Sequence, residues 1–308
     1  MKHKAQNESK GLWLGLLGVA IFAMTLPMTR LAVGASGDPQ LPPLFVTAGR
    51  AAFAGVLSLL LLLLLRAERP RANHALALVV CAAGTVLGFP LFLGLALRDV
   101  DAMHAAVVTG VLPLGTALAA ALYFRQRPSP AFWGCAVLGC ALVLGFAAHK
   151  GQGGLSVADG LLMLAVACAS VGYVAGARLA AQMSAQRVIC WVLVLCLPVS
   201  LPATLLTWPV QPARASAWIG LGYVSLFSMW LGFFAWYRGL ALGGAVRVSQ
   251  VQLVQPFLAL LFAVPVLGEV LELDTVAFSL AVIGTVFLGK KMPVDVAPRA
   301  SAAGGGSS

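Results

Sequence analysis

The chain has 308 residues, of which 60% are hydrophobic and 10% are charged, and its formal net charge at pH 7 is +10. Its mean hydropathy is +0.95. Soluble domains carry roughly 25% charged residues because their surfaces face water. This composition therefore excludes a soluble enzyme, a nucleic-acid-binding protein and a disordered chain. It indicates a polytopic membrane protein.

Apolar runs follow one another along almost the whole chain. A membrane-spanning helix needs about 20 mostly apolar residues, and the sequence predicts ten such helices separated by short loops that contain Pro, Gly and charged residues. The predicted spans are 11–33, 43–65, 74–97, 101–124, 130–149, 157–182, 187–207, 215–241, 244–267 and 272–290. Residues 1–10 and 291–308 remain as tails.

The distribution of Lys and Arg predicts the orientation of these spans. Most of these residues lie in the two tails and in the loops that follow the second, fourth, sixth and eighth spans. Cytoplasmic loops of membrane proteins carry such an excess. We therefore expect both termini in the cytoplasm, and the net positive charge requires no nucleic acid as a partner.

The two halves of the chain resemble each other. Arg30-Leu31-Ala32, at the end of the first span, recurs as Arg178-Leu179-Ala180 at the end of the sixth. Further pairs match at one constant spacing, namely Ala102 with Ala245, Pro113 with Pro256, and Gln126 with Glu269. These matches divide the chain into a first repeat (11–150), a linker (151–156) and a second repeat (157–290).

Five spans per repeat is an odd number, so the second repeat must enter the membrane from the opposite face. The predicted fold is therefore an all-α integral membrane protein of ten transmembrane helices, built as two inverted five-helix repeats. Many secondary transporters follow this plan, with a substrate site near the middle of the bilayer. The sequence accordingly predicts a carrier that works by alternating access and is functional as a monomer.

Two segments and the paired prolines of the fourth and ninth spans carry a family resemblance. The run Gly49-Arg50-Ala51-Ala52-Phe53-Ala54 and the run Leu267-Gly268-Glu269 resemble the EamA family of the drug/metabolite transporter superfamily. Within it, the chain is similar to the YddG-type amino-acid exporters. Gln126 departs from the pattern, because the first repeat lacks the acid that Glu269 supplies in the second. The resemblance implies a bacterial inner-membrane exporter of amino acids, related metabolites or toxic compounds.

Polar residues of the ninth span predict where a substrate cavity lies. At helical spacing, Ser249, Gln252 and Pro256 share one stripe with Gln255 beside it. Polar side chains are costly against lipid, so this stripe is expected to face inward, together with its first-repeat counterparts Thr109 and Pro113. The alternative is that these side chains only form hydrogen bonds between packed helices.

Aromatic and charged residues complete the predicted cavity. An aromatic, largely neutral pocket suits amphipathic solutes such as amino acids with bulky side chains. The candidates are Tyr223, Trp230, Phe89, Tyr173 and its repeat partner Thr25. Two further residues are polar: Arg50 either neutralises a substrate carboxylate or pairs within the protein, and His104 is the candidate titrating group.

Several alternatives remain open from the sequence. The His, Asp and Glu residues are not clustered as the active site of an integral-membrane enzyme would require. The six cysteines all lie inside apolar runs and predict neither a metal site nor a cofactor. No acid falls in the middle of a predicted span, which favours uniport-like export without proton coupling. A proton-coupled carrier of a drug, nucleotide or sugar derivative, or a channel, is the competing prediction.

Overall fold

The apolar runs form helices because a lipid environment offers backbone N–H and C=O groups no partner outside the segment itself. The computed structural model describes residues 2–123, 127–150, 155–180, 182–243, 250–291 and 294–295. In chain order its α-helices are α1 Lys2–Ala23, α2 Thr25–Val33, α3 Pro43–Leu64, α4 Ala75–Cys81, α5 Phe89–Ala96, α6 Ala102–Thr109, α7 Leu112–Tyr123, α8 Pro130–Lys150, α9 Val157–Ala180, α10 Ala185–Leu206, α11 Ala215–Tyr223, α12 Gly232–Gly243, α13 Gln255–Leu267 and α14 Leu273–Lys291.

Eight helical stretches in this described part are long and apolar enough to cross a membrane, and Gln255–Leu267 and Leu273–Leu288 are shorter apolar helices. The only extended segments within the described ranges are two antiparallel pairs of two residues each. One joins Gly34–Ala35 to Asp38–Pro39, and the other joins Arg127–Pro128 to Val294–Asp295. The predicted class, an all-α integral membrane fold, agrees with this architecture.

The structure differs from the predicted boundaries at both ends of the chain. The first helix begins at Lys2, so most of the predicted tail 1–10 is helical. The last helix ends at Lys291, and Val294–Asp295 of the predicted tail 291–308 forms a short strand. Residues 151–154 of the predicted linker, and 244–249 of the predicted ninth span, lie outside the described residues.

Two of the predicted spans are interrupted by π-helical segments, in which the hydrogen bonds run to the fifth residue instead of the fourth. One π segment, Ala82–Gly88, joins α4 to α5, and the other, Val224–Leu231, joins α11 to α12. A π turn leaves local carbonyl groups displaced from the helical ladder and is frequent at functional sites. A continuous apolar pattern did not predict either segment.

The helices pack as a set of close pairs. Helix α3 packs on α10, α1 on α12, α8 on α14, and α9 on α5 and α7. One apolar core joins α2, α3, α5 and α6 to α13 and α14, and a second core lies between α3, α4, α9 and α10. The broad exposed apolar surface on the outside of α3, which includes Leu60, Leu63 and Leu64, is the expected lipid-facing side.

Glycines bring α9 and the first π segment into direct backbone contact. A Cβ atom placed on Gly84 would lie 2.4 Å from the carbonyl oxygen of Cys168 and 2.9 Å from the Cα atom of Gly172. A Cβ atom on Gly172 would in turn lie 2.9 Å from the backbone nitrogen of Thr85. Only residues without a side chain permit two membrane helices to approach so closely.

We therefore expect Gly84→Ala to destabilise the protein by about 1–3 kcal/mol, the range typical of overpacking a close contact. The measurement is the thermal unfolding midpoint of the purified protein in detergent. Gly160→Ala is the matched control, because its Cβ atom would meet nothing within 4 Å. Equal midpoints for the two variants would contradict the assigned backbone contact.

Candidate functional site

A cavity opens where two helices are interrupted by proline. Proline lacks a backbone N–H, and its ring clashes with the carbonyl group four residues earlier, so a helix breaks or kinks there. Helix α6 ends at Thr109 and α7 begins at Leu112, just before Pro113. A 3₁₀ segment, Gln250–Val254, precedes Pro256 at the start of α13. The helices are thus interrupted beside both prolines.

The space between these two breaks has a volume of ≈ 310 Å³, and its lining includes Thr109, Pro113, Gln252, Gln255 and Pro256. A smaller adjoining volume of ≈ 70 Å³ extends toward α3 and the two π segments. Five lining residues are common to both volumes, namely Leu26, Thr109, Leu112, Tyr173 and Gln255. We treat the two volumes as one, the central cavity.

A hydrogen-bonded group of three side chains forms one wall of the central cavity. The hydroxyl oxygens of Thr25 and Ser228 lie 2.8 Å apart. The Arg50 Nη2 group donates to the same Ser228 hydroxyl at 3.2 Å. Ser228 reaches this position from the second π segment, Val224–Leu231. The irregular helix thus presents a polar group inside an otherwise apolar bundle.

Arg50 is buried, with 3% of its surface exposed. Its Nε and Nη1 nitrogens have no hydrogen-bond partner in the described part of the chain. No described acidic residue forms an ion pair with it, and it lines the central cavity. Of the two roles that the sequence left open for Arg50, pairing with an acid of the protein is not observed.

Aromatic rings form the opposite part of the smaller volume. Phe22, Phe89 and Phe233 line it together with Tyr173. The rings of Phe22 and Phe233 meet edge to face, with 5.0 Å between their centroids. Such rings offer large apolar contact area in a fixed geometry. The central cavity therefore combines one cation, several neutral hydrogen-bonding groups and an aromatic surface.

Most of the residues that the sequence predicts for the cavity lie around it. Those that line it are Thr25, Arg50, Phe89, Thr109, Pro113, Tyr173, Gln252, Gln255 and Pro256. Ser249 lies outside the described residues, so its predicted place in the lining stays a prediction.

Two of the predicted cavity residues lie elsewhere. The hydroxyl group of Tyr223 donates to the carbonyl oxygen of Ile21 at 3.1 Å, and its ring stacks on Phe227. Trp230 packs on Phe234 against the second apolar core. Both were chosen as large aromatic residues of the eighth span, and that choice did not specify which face of the helix they occupy. Tyr223 and Trp230 therefore have packing contacts in place of cavity positions.

The sequence also missed several lining residues, and three of them are informative. Phe22, Thr85 and Ser228 line the smaller volume, and the last two belong to the π segments. Thr85 and Ser228 are separated by the same spacing as Ala102 and Ala245, so the internal repeat was the signal that could have paired them. Apart from the repeat, one hydroxyl-bearing residue within an apolar run does not indicate that its side chain lines a cavity.

At one end of the bundle, charged groups join the two halves of the chain. His104 Nε2 lies 2.6 Å from Asp159 Oδ1, where Asp159 is buried and His104 is partly buried. Asp159 also accepts hydrogen bonds from the backbone N–H and the hydroxyl group of Ser156. His104, expected as an isolated titrating group near the surface, therefore has a carboxylate partner. We call the group of His104, Lys150, Asp159, Glu269 and Asp274 the polar end.

Glu269 caps helix α6 from the second half of the chain. Its two carboxylate oxygens accept hydrogen bonds from the backbone N–H groups of Ala102 and Met103, at 2.7 and 2.8 Å. The preceding residue, Gly268, has φ +72°, a left-handed conformation that glycine adopts without strain and that turns the chain back toward α6. Burial raises the pKa of the Glu269 carboxyl above its ordinary value, while these two hydrogen bonds act in the opposite direction.

A third contact across the polar end involves Lys150, the last residue of α8. Its ammonium group contacts Glu272 and lies 3.0 Å from Asp274 Oδ2. The residues of this end enclose a vestibule of ≈ 450 Å³. Within the described residues, the linings of this vestibule and of the central cavity have no member in common. The polar end thus holds the two halves together beside a vestibule that is separate from the central cavity.

Comparison with known proteins places this architecture in a family. Residues 9–147 and 156–289 each match the EamA-like transporter family. The chain is 42% identical over 288 residues to "Uncharacterized transporter YdeK" of Bacillus subtilis (strain 168), covering 92% of this chain and 99% of that protein. A solved crystal structure that is 21% identical has a TM-score of 0.61 and covers 91% of this chain, a likeness of fold alone.

The family match spans most of the chain in two consecutive segments, and the relative is similar over nearly its whole length. Both are described as transporters, so the chain is a membrane transporter and not an enzyme. The resemblance that the sequence motifs predicted is confirmed. The chain belongs to the EamA-like transporter family.

Proposed function

We propose that the chain is an exporter of amino acids or similar small amphipathic metabolites in the bacterial inner membrane. It works by alternating access between two inverted five-span halves, 11–150 and 157–290, and it functions as a monomer. One observation carries the proposal: a cavity lined at equivalent positions of the two halves. Thr109 and Gln252, Pro113 and Pro256 line it at the spacing of the internal repeat.

Helix pairing supports the inverted arrangement. If the second half repeats the first, α12 corresponds to α5, and α9 corresponds to α1 and α2. The contact of α1 with α12 then has its equivalent in the contact of α9 with α5. Helices α3 and α10, and helices α8 and α14, are equivalent pairs that pack on each other. This pattern is expected of two halves related by a twofold axis.

The irregular segments follow the same relation. The π segment Ala82–Gly88 lies in the third span of the first half, and Val224–Leu231 lies in the third span of the second. Thr85 and Ser228 occupy equivalent places in these segments and both line the central cavity. Discontinuous helices at matching positions of two halves are typical of transporter substrate sites.

The two ends of the bundle differ in a way that favours alternating access. At the polar end, Glu269, Asp159 and Lys150 form contacts between the halves. The central cavity extends away from that end, along α7 to Thr116 and Ala120. With the orientation that the basic loops predict, the cavity is directed toward the cytoplasm and the polar end faces outward.

The lining of the cavity supports the cargo class. Amphipathic solutes need both aromatic surface and a few hydrogen-bonding groups, and here Phe89, Phe233, Thr109 and Gln255 line the same small volume. The described lining contains no Asp or Glu that could carry a proton across the membrane. We therefore propose uniport-like export down the metabolite gradient.

We expect purified protein in liposomes to exchange labelled amino acids, with a preference for those that have bulky side chains. Gln255→Ala removes a polar group from both volumes of the cavity and should lower the exchange rate about tenfold, as the loss of one hydrogen bond of about 1.4 kcal/mol would. Gln186→Ala, at the start of α10 and away from the cavity, is the matched control and should exchange normally.

Absence of exchange for every amino acid in the wild-type protein would contradict the proposed cargo. Exchange that persists undiminished in Gln255→Ala would instead remove the central cavity from the transport path. Dependence of exchange on an imposed pH difference would contradict transport without proton coupling.

The inverted arrangement predicts where two surface positions lie. Single cysteines introduced as Gly153→Cys and Ser307→Cys, in a background without the six native cysteines, should react with a membrane-impermeant maleimide from opposite sides of the membrane. Gly153→Cys should react in intact cells, and Ser307→Cys only after the membrane is opened. Reaction of both from the same side would be incompatible with five spans between them.

Glu269→Ala should weaken the closed polar end. The substitution leaves the N–H groups of Ala102 and Met103 without their acceptor, which for a helix cap costs about 0.5–2 kcal/mol. We expect a lower unfolding midpoint in detergent. Glu68→Ala, an exposed acid whose closest cation lies 3.7 Å away, is the control and should leave the midpoint unchanged. Equal midpoints would show that the cap contributes nothing.

A further inference from the structure

The central cavity contains a positive charge that no acidic residue of the described lining balances. Arg50 is the one charged residue among the described residues that line it, and every other polar group of the lining is neutral. An isolated buried charge is costly unless it is paired, because the protein interior cannot replace the water that the ion loses. A buried cation that lacks an acid of its own therefore favours an anion supplied from outside the chain.

Arg50 also has N–H donors that form no hydrogen bond within the described part of the chain. A guanidinium group has five N–H donors. Ser228 accepts from Nη2, but Nε and Nη1 have no partner in the described residues, although both are buried. Arg50 lines the smaller volume of the central cavity, so a ligand held there lies beside its guanidinium group. A carboxylate is the small anion whose two oxygens match the planar guanidinium group, and the pair forms charge-assisted hydrogen bonds.

From these observations we infer that Arg50 is the anchor for a substrate carboxylate, and that the transporter selects monocarboxylates with an apolar, ring-sized substituent. This inference rests on the proposed function and deepens it by naming the substrate class. The aromatic group of Phe22, Phe89 and Phe233 receives the substituent. Ser228, fixed by its contact with Thr25, is a positioning residue that orients the guanidinium group.

The same lining predicts which part of an amino acid is dispensable. An ammonium group would find only neutral acceptors, such as the Thr109 hydroxyl and the Gln255 amide oxygen, and no carboxylate within the described lining. The carboxylate is therefore required and the ammonium group is optional. Organic cations are excluded, because Arg50 repels them.

Four ligands that share a phenyl ring test this selection directly. L-phenylalanine has both charged groups, 3-phenylpropanoate keeps only the carboxylate, and phenylalaninamide and phenethylamine lack it. Binding to the purified protein in detergent is measured by titration calorimetry. We expect the two carboxylates to bind at least about tenfold more tightly than the amide and the amine, a ratio that corresponds to ~1.4 kcal/mol.

The variants separate the charge of Arg50 from its geometry. Arg50→Gln should abolish the preference for the carboxylates, whereas Arg50→Lys should keep part of it, since a lysine retains the charge but not the planar set of donors. Ser228→Ala should weaken carboxylate binding and leave amide binding unchanged. Ser225→Ala is the matched control, because its hydroxyl group bonds to the Leu221 carbonyl oxygen and does not line the cavity.

Three results would overturn the inference. Equal affinity of wild-type protein for phenylalanine and phenylalaninamide overturns it, as does the absence of binding by both carboxylates. A carboxylate preference that survives in Arg50→Gln also overturns it. If Arg50→Gln does not fold, as judged by its unfolding midpoint, the wild-type ligand series and Ser228→Ala still decide the result.

The same ligands distinguish this inference from the proposed function when exchange in liposomes is measured alongside binding. Carboxylate-selective binding without exchange of any ligand would uphold the anchor and contradict export. Exchange of phenylalaninamide at the rate of phenylalanine would uphold transport and contradict the anchor.

Discussion

Within lipid, each backbone N–H or C=O group that lacks a partner costs several kcal/mol, so a helix can be interrupted only where protein or a cavity covers the break. This constraint organises the whole molecule. Four of the irregular segments in the described part of the chain are the two π segments, the break between α6 and α7, and the 3₁₀ segment before α13. All four contribute lining residues to the central cavity.

The two halves share a framework of helices but differ in the charged residues that they carry. Among the described residues, the two halves supply equivalent prolines and equivalent hydroxyl groups, whereas the buried cation Arg50 lies in the first half and the capping acid Glu269 lies in the second. In the proposed exporter these two residues differ in role: Glu269 forms a contact at the polar end, and Arg50 places a charge beside the central cavity.

Much of the fold could be predicted from the sequence, because the hydropathy that defines a membrane-spanning helix is a property of a short stretch of residues. The helical class and the family follow from short stretches of residues, and Pro113 and Pro256 stand where α7 and α13 begin. The π segments were not accessible, because the residues of Ala82–Gly88 fit a regular helix equally well. Tyr223 and Trp230 were chosen for their aromatic character, which does not specify the face of the helix that carries each ring. The partnership of His104 with Asp159 depends on packing between distant spans and has no sequence signal.

The contact between Gly84 and Gly172 limits how α9 can move relative to the first π segment. Because backbone meets backbone there, no rotamer change can relieve a displacement of α9 against the first π segment. Sliding these two elements past each other would force main-chain atoms into overlap. In the proposed alternating-access movement, the pair of glycines would act as a pivot between the halves. The pivot lies one residue from Thr85 and Tyr173, so it also borders the central cavity.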